Sequence, residues 1–150
     1  MTPDVPTSGS IRVRVRYCEC DPMGVAHHAS YAPWMEMART ELLRTGGVTY
    51  AQLEREGVFL VVTKLEVRYR RPIRYDDEVE IRCRVVGGGG GSKVKVRHEY
   101  ELVLVGAGDG NDARLVDRGG QCSVATTELA CVTGEGRVRE LPHWLIPKGS

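Results

Sequence analysis

Ile11, Val13, Val15 and Tyr17 alternate with Arg12, Arg14 and Arg16, the period of a half-buried strand. From Tyr31 the spacing changes: Tyr31, Trp34, Met35, Ala38 and Leu42 recur at helical intervals, and Glu36, Arg39 and Arg44 fall on the other side. Ser30 stands where an N-cap belongs, and Gly46-Gly47 closes the helix. Thr49 and Gln52 predict a short capped helix through about Glu56. Gly57 opens a long strand to about Tyr69, with Val61, Leu65, Val67 and Tyr69 alternating with Lys64, Glu66, Arg68 and Arg70. Val79 to Val85 makes the next strand, Val94 to Leu104 a further one, and Leu115 through Thr126 the last. Turns fall at Pro72 and Asp76-Asp77, at Gly87 to Gly91 with Ser92, and at Gly106 to Asn111. Val61, Leu65, Val67, Val79, Ile81, Val94, Val96 and Leu102 are expected to face the core and cover the Tyr31–Leu42 stripe. A leading strand, one long helix and four antiparallel strands predict an α+β fold, a sheet of about five strands wrapped around one helix. Residues 1–9 read as a mobile leader, 10–145 as one domain and 146–150 as a tail.

A chain of 150 residues with 41% hydrophobic content suits a single core. The formal net charge of +1 offers no basic face for nucleic acid. No apolar run approaches the roughly 20 residues that span a bilayer, and the first residues carry no secretory signal pattern. Five cysteines, an odd count without scaffold spacing, favour free thiols in a reducing cytoplasm. Cys18 and Cys20 followed by His27-His28 suggest zinc, but no second cysteine pair stands at ligand spacing, and no metal is expected. Cys83 alternates with Val79 and Ile81 as a small core hydrophobe. The five-glycine run lacks the Gly-Lys-Ser/Thr ending and following helix of a phosphate loop, so a hairpin linker is expected.

The candidate chemistry lies in Tyr17-Cys18-Glu19-Cys20-Asp21-Pro22-Met23-Gly24-Val25-Ala26-His27-His28-Ala29-Ser30-Tyr31. Asp21 falls on a strand-to-helix loop and faces a helix start, whose free N–H groups and partial positive charge can hold an oxyanion. A carboxylate there can attack or activate water. Asp21-Pro22 is equally a common turn pair. Gly24 permits a close backbone approach or a positive φ, and the Tyr17 phenol is four residues from Asp21. Arg68, Arg70, Arg71 and Arg74 form the densest basic patch, either a solvated strand edge or an anion site.

In Tyr17, Asp21, Gly24, Val25, His28, Ser30 and Tyr31 the chain resembles the 4-hydroxybenzoyl-CoA thioesterase family, above all its bacterial branch of short-chain and Tol-Pal-associated acyl-CoA thioesterases. The likeness continues through Trp34, Met35, Glu36, Ala38, Arg39, Leu42, Leu43 and Gly46. It resumes in Val67-Arg68-Tyr69-Arg70-Arg71-Pro72-Ile73-Arg74-Tyr75-Asp76-Asp77-Glu78. His27 stands where many members carry Tyr or Trp, and Ser30 replaces a commoner Asn. His28 leans toward the branch that has His at that position. The resemblance implies a hot-dog fold, hydrolysis of acyl-CoA to free acid and CoA, and a homodimer or homotetramer with sites between protomers. It implies catalytic roles for Asp21, as nucleophile or general base, and for His28 and Tyr17. Gly24, Val25, His27, Tyr31, Thr63, Arg70 and Arg71 would bind substrate. No cofactor is implied, since CoA is part of the substrate. A non-catalytic acyl-CoA or acyl-carrier-protein binding module, or a dehydratase of the same fold, are the other readings.

Overall fold

The computed structural model describes residues 2–87 and 92–146. Five antiparallel strands form one sheet in the order β1-β3-β4-β5-β2. They are β1 (Ser8–Arg14), β2 (Phe59–Tyr69), β3 (Glu78–Val86), β4 (Lys95–Gly106) and β5 (Gln121–Val132). The long helix α1 (His28–Thr45) lies against β1 and β3, and the short helix α2 (Tyr50–Arg55) follows it. The α2 capping box forms as its residues predict: Thr49 Oγ accepts from Gln52 N, and Gln52 Oε1 accepts from Thr49 N.

Trp34, Met35, Ala38 and Leu42 from α1 meet Val79, Ile81, Tyr100 and Leu102 from the sheet in the main core. Burial of side chains this large contributes about 1.5–3 kcal/mol each. A second cluster, with Leu43, Leu53, Val58, Val96 and Leu129, fills the C-terminal end of α1.

Several expectations are corrected. Val61 and Leu65 are 43% and 46% exposed, with Val62 beside them at 51%. They lie on β2, an edge strand that pairs with β5 alone among the described residues, and the register shifts at Thr63 between Val62 and Lys64. That shift breaks the alternation that predicts an inward face. Val94 is half-buried and precedes β4. The last strand begins at Gln121, not Leu115, because Arg114–Asp117 forms a short helix, α3. Strand β1 stops at Arg14; the chain then coils into a 3-10 turn at Tyr17–Glu19.

Ser8 and Gly9, placed in the leader, pair with Arg84 and Cys83. Val5 packs on both core clusters and passes so close over Gly46 that a Cβ there would meet its Cα at 2.8 Å. Leu145 and Ile146 pack against the second cluster. Residues 88–91 of the glycine run, and 147–150 of the tail, lie outside the described residues.

Candidate active site

Glu19 shapes the loop that leads into α1. The 3-10 turn rotates its side chain inward, where Oε2 accepts from the Trp34 indole N–H at 2.6 Å and Oε1 from Arg16 N at 2.8 Å. Burial pushes this carboxyl up, yet bonds from the Arg16 backbone, the Arg16 guanidinium and Trp34 outweigh it and hold the group below its ordinary value. The Glu19 carbonyl accepts from His27 N at 2.8 Å and from Ser30 Oγ at 2.8 Å. One residue thus fixes both the core side and the first turn of α1.

The helix start differs from the expectation. His27 is the N-cap, its Nδ1 accepting from Ala29 N at 3.0 Å. Ser30 lies inside the helix, its hydroxyl turned back to Glu19, so it does not cap. The His27 and His28 rings stack with centroids 4.0 Å apart. With Ala29 N–H taken by His27 and Ser30 N–H by the His27 carbonyl, the His28 N–H has no acceptor among the described residues.

Asp21 is half-buried. Its Oδ1 accepts from Met23 N at 2.9 Å and Val25 N at 3.2 Å, and its own N–H donates to the Val25 carbonyl at 2.8 Å. This is the turn geometry the Asp-Pro pair allows, closed by Gly24 at φ +78°. All of these bonds leave the second carboxylate oxygen unused among the described residues. Turn and chemistry are therefore compatible in one side chain.

The two segments that carry the resemblance meet here. Ala26 N donates to the Ile73 carbonyl at 2.7 Å and Tyr75 N to the Gly24 carbonyl at 3.1 Å, with Val25 bridged to Arg74. The second segment is held from behind by Asp77, fully buried. It accepts from Arg74 N (2.8 Å), Gly108 N (2.7 Å) and Asn111 Nδ2 (2.7 Å).

Between the segments runs an open groove of about 360 Å³, lined by Val25, Ala26, His28, Tyr31 and the stretch Tyr69 to Pro72. Five of the expected site residues, Val25, His28, Tyr31, Arg70 and Arg71, therefore share one surface. The Tyr31 ring is buried edge-on against Tyr69, with centroids 4.9 Å apart. Burial pushes its phenol up to about 12, so it is a neutral hydrogen-bonding group. Arg70 is tied to Gln121 Oε1 at 2.8 Å, while the exposed Arg71 makes no ion pair among the described residues.

The other expected residues stand apart. Tyr17 is 82% exposed, held edge-on by Tyr75, because the 3-10 turn carries it off the strand. Gly24 faces a smaller neighbouring recess with Tyr75 and Asp109. Thr63 is on the β2 edge, bonded to Glu128 Oε1 at 2.8 Å. Cys18 is exposed, and burial and the nearby Glu19, Asp21 and Asp77 carboxylates push the Cys20 thiol up. Among the described residues no three His, Cys, Asp or Glu side chains are grouped to hold a metal.

Glu19 and Asp77 are the residues shaping this site that sequence reasoning misses. Their burial arises from loop conformations that no hydrophobic period encodes; only their position inside the two signature segments signals them.

The chain is 44% identical over 73 residues to the acyl-CoA thioester hydrolase YbgC of Escherichia coli O6:H1, covering 49% of this chain and 54% of that protein. It spans about half the length of the relatives it matches. The DHNA-CoA thioesterase of Staphylococcus aureus superposes with a TM-score of 0.75 at 27% identity, covering 92% of this chain and 83% of that one. A thioesterase of Thermus thermophilus, complexed with coenzyme A and Zn, superposes with a TM-score of 0.68 at 26% identity, covering 95% of this chain and 89% of that one. Matched over residues 15–148 by the family model, the chain belongs to the thioesterase-like superfamily and has its hot-dog fold.

Proposed function

We propose that the protein hydrolyses acyl-CoA thioesters to free acid and CoA, and that it falls in the short-chain and Tol-Pal-associated branch its 17–31 motif resembles. One observation carries the reading: both signature segments line a single groove, and Asp21 is bonded directly to a residue of its wall. In this reading the His28 N–H polarises the thioester carbonyl. Asp21 attacks the carbonyl carbon or takes a proton from the attacking water; in either case the thiolate leaves and one water is consumed. Arg71, with Arg70, meets the CoA phosphates at the groove edge. The names of YbgC and of the S. aureus enzyme, both acting on CoA thioesters, support a CoA thioester as substrate.

The working unit in this reading is at least a dimer. The free edge of β2 presents Val61, Val62 and Leu65 to solvent, an edge that calls for a partner. Thr63 stands six residues before Tyr69, roughly 20 Å along the strand, so it reaches a groove only across a second copy paired antiparallel through β2. Sedimentation at micromolar concentration is expected to give a dimer or larger, and Leu65→Lys a monomer of low activity. A fully active wild-type monomer would contradict the shared site.

Asp21→Asn tests the chemistry. The amide oxygen still accepts from Met23 N and Val25 N, so the loop is kept, while turnover of the best acyl-CoA is expected to fall about 10²–10⁴-fold. Undiminished kcat would leave Asp21 a turn residue and favour a module that binds acyl-CoA without cleaving it. The five cysteines are all free, which supports a reducing, cytoplasmic setting, and no described helix is long and apolar enough to cross a membrane.

A further inference from the structure

The far end of α1 holds a different kind of space. Arg39 lies four residues after Met35 and three before Leu42, flanking the apolar stripe. Expected on the polar side, its side chain instead turns inward and is only 11% exposed. Its ion pair among the described residues is a 3.7 Å contact with the exposed Glu36. The guanidinium lies close enough to act on His98, Tyr100, Cys83 and Tyr50, from three different elements. The neutral Tyr100 phenol is its other hydrogen-bonding neighbour, so the charge is held inside by one long ion pair and one neutral group, an arrangement costly to bury.

Beside it is a cavity of about 290 Å³, the small end of the range for ligand sites. The N-terminal segment from Thr2 to Thr7 closes one side, and the C-terminal segment from His143 to Ile146 another. Leu43, Leu60, Val96 and Leu129 make its walls apolar. His98 also lines it. That residue is 7% exposed, and its Nδ1 has no hydrogen-bond partner among the described residues. A polar group in this position is ordinarily satisfied. The space is far larger than a single-water site, and Asp4, Tyr50 and His143 share its lining with the apolar side chains. None of the residues lining this cavity lines the groove at the other end of the helix.

We propose that this cavity is a second ligand site. It takes a monocarboxylic acid with a compact apolar body, the carboxylate on Arg39 and His98 Nδ1 and the body against Leu43, Val96 and Leu129. A phosphate would gain nothing from the apolar walls, and a neutral hydrocarbon would leave His98 Nδ1 unsatisfied and add nothing to Arg39. The monoacid answers both features. It is the class of product that the proposed hydrolysis releases, but the site stands on the cavity and not on turnover.

Calorimetric titration of the intact protein with octanoate and benzoate, against octanol as the uncharged counterpart, tests this without measuring activity. An acid is expected to bind at least about tenfold tighter than octanol. Arg39→Met should weaken the acid about 10- to 100-fold and leave octanol unchanged. Histidine side-chain NMR of the wild type adds a readout that needs no variant: the His98 resonances should move with octanoate, and move equally in Asp21→Asn. Equal affinity for octanol and octanoate, absence of binding by either acid, unmoved His98 resonances, or displacement of octanoate by CoA would each overturn the proposal. The thioesterase reading fails separately, by absence of thiol release from acyl-CoA.

Discussion

At its N-terminal end α1 meets loops whose carboxylates are paired by backbone and side-chain donors; at its C-terminal end it meets a more enclosed space where Arg39 and His98 are buried with little to pair them. Asp21, Asp77, Glu19 and His27 each take two or more backbone or side-chain hydrogens, or cap a free one. Arg39 and His98 lie among Leu43, Val96 and Leu129 with one long ion pair and an orphaned Nδ1. At the open end the hydrogen bonds are made, an arrangement that can hold a reacting group in place while leaving it accessible. The closed end holds its uncompensated polarity inside the fold, and that is where a ligand would add most.

The largest effects are expected from two identical substitutions within the open end. Asp21→Asn removes turnover as described above, with a stability change of no more than about 1 kcal/mol, since only its Oδ1 is used. Asp77→Asn should do the reverse. Both Asp77 oxygens accept, so an amide NH2 must face a donor, either Gly108 N or the Arg74 N and Asn111 Nδ2 pair. The expected loss is about 2–4 kcal/mol in urea unfolding, with kcat on the folded fraction little changed. If Asp77→Asn proves as stable as wild type, the segment carrying Arg70 to Arg74 is not held from behind in the way its bonds imply.

A somewhat smaller effect belongs to the closed end. Burial first, and Arg39 second, push His98 down to about 4 from its ordinary 6.5. The folded protein thus keeps His98 neutral where the unfolded chain would protonate it. The stability linked to this group is full above pH 6.5 and falls as pH drops toward 4, by at most about 3 kcal/mol. Arg39 from α1, Tyr50 from α2 and His143 from the C-terminal segment border the same space. In His98→Leu the decline between pH 6.5 and 4 should flatten, as followed by denaturant midpoints across that range. An unchanged slope would mean that other groups carry the acid sensitivity.

The sequence encodes the two ends unequally. The strands with strict alternation, β3 and β4, and the helix stripe follow from period alone, because each has one face toward a single core. The inward face expected of β2 fails at Val61 and Leu65, beside a bulge at Thr63 on a strand whose outer edge has no partner among the described residues, whereas Val67 packs on the core as expected. At the open end, the motif residues Val25, His28, Tyr31, Arg70 and Arg71 are legible as a set, and the groove unites them. What holds them is not. Glu19 turns inward only because a 3-10 turn forms, and Asp77 only because the Gly108 and Asn111 loop folds over it. The closed end is hardly legible at all, since Arg39 falls at the border of the stripe and a long side chain there can turn either way.

The smallest effect sharpens the account of the helix start. His27 is expected among the substrate contacts; in the structure its Nδ1 accepts from Ala29 N and so orients the first turn that carries the His28 N–H. If capping is its whole contribution, His27→Ala should cost about 1 kcal/mol of stability and reduce kcat/KM only a few-fold through a looser first turn. His27→Asn should restore most of both losses, because an amide oxygen is an equally good cap. Thermal or urea midpoints measured beside kcat/KM for the two variants separate the roles. Should His27→Asn recover stability but not kcat/KM, the imidazole contacts substrate as well, and the ring stacked 4.0 Å from His28 would then be part of the groove's chemistry as well as its frame.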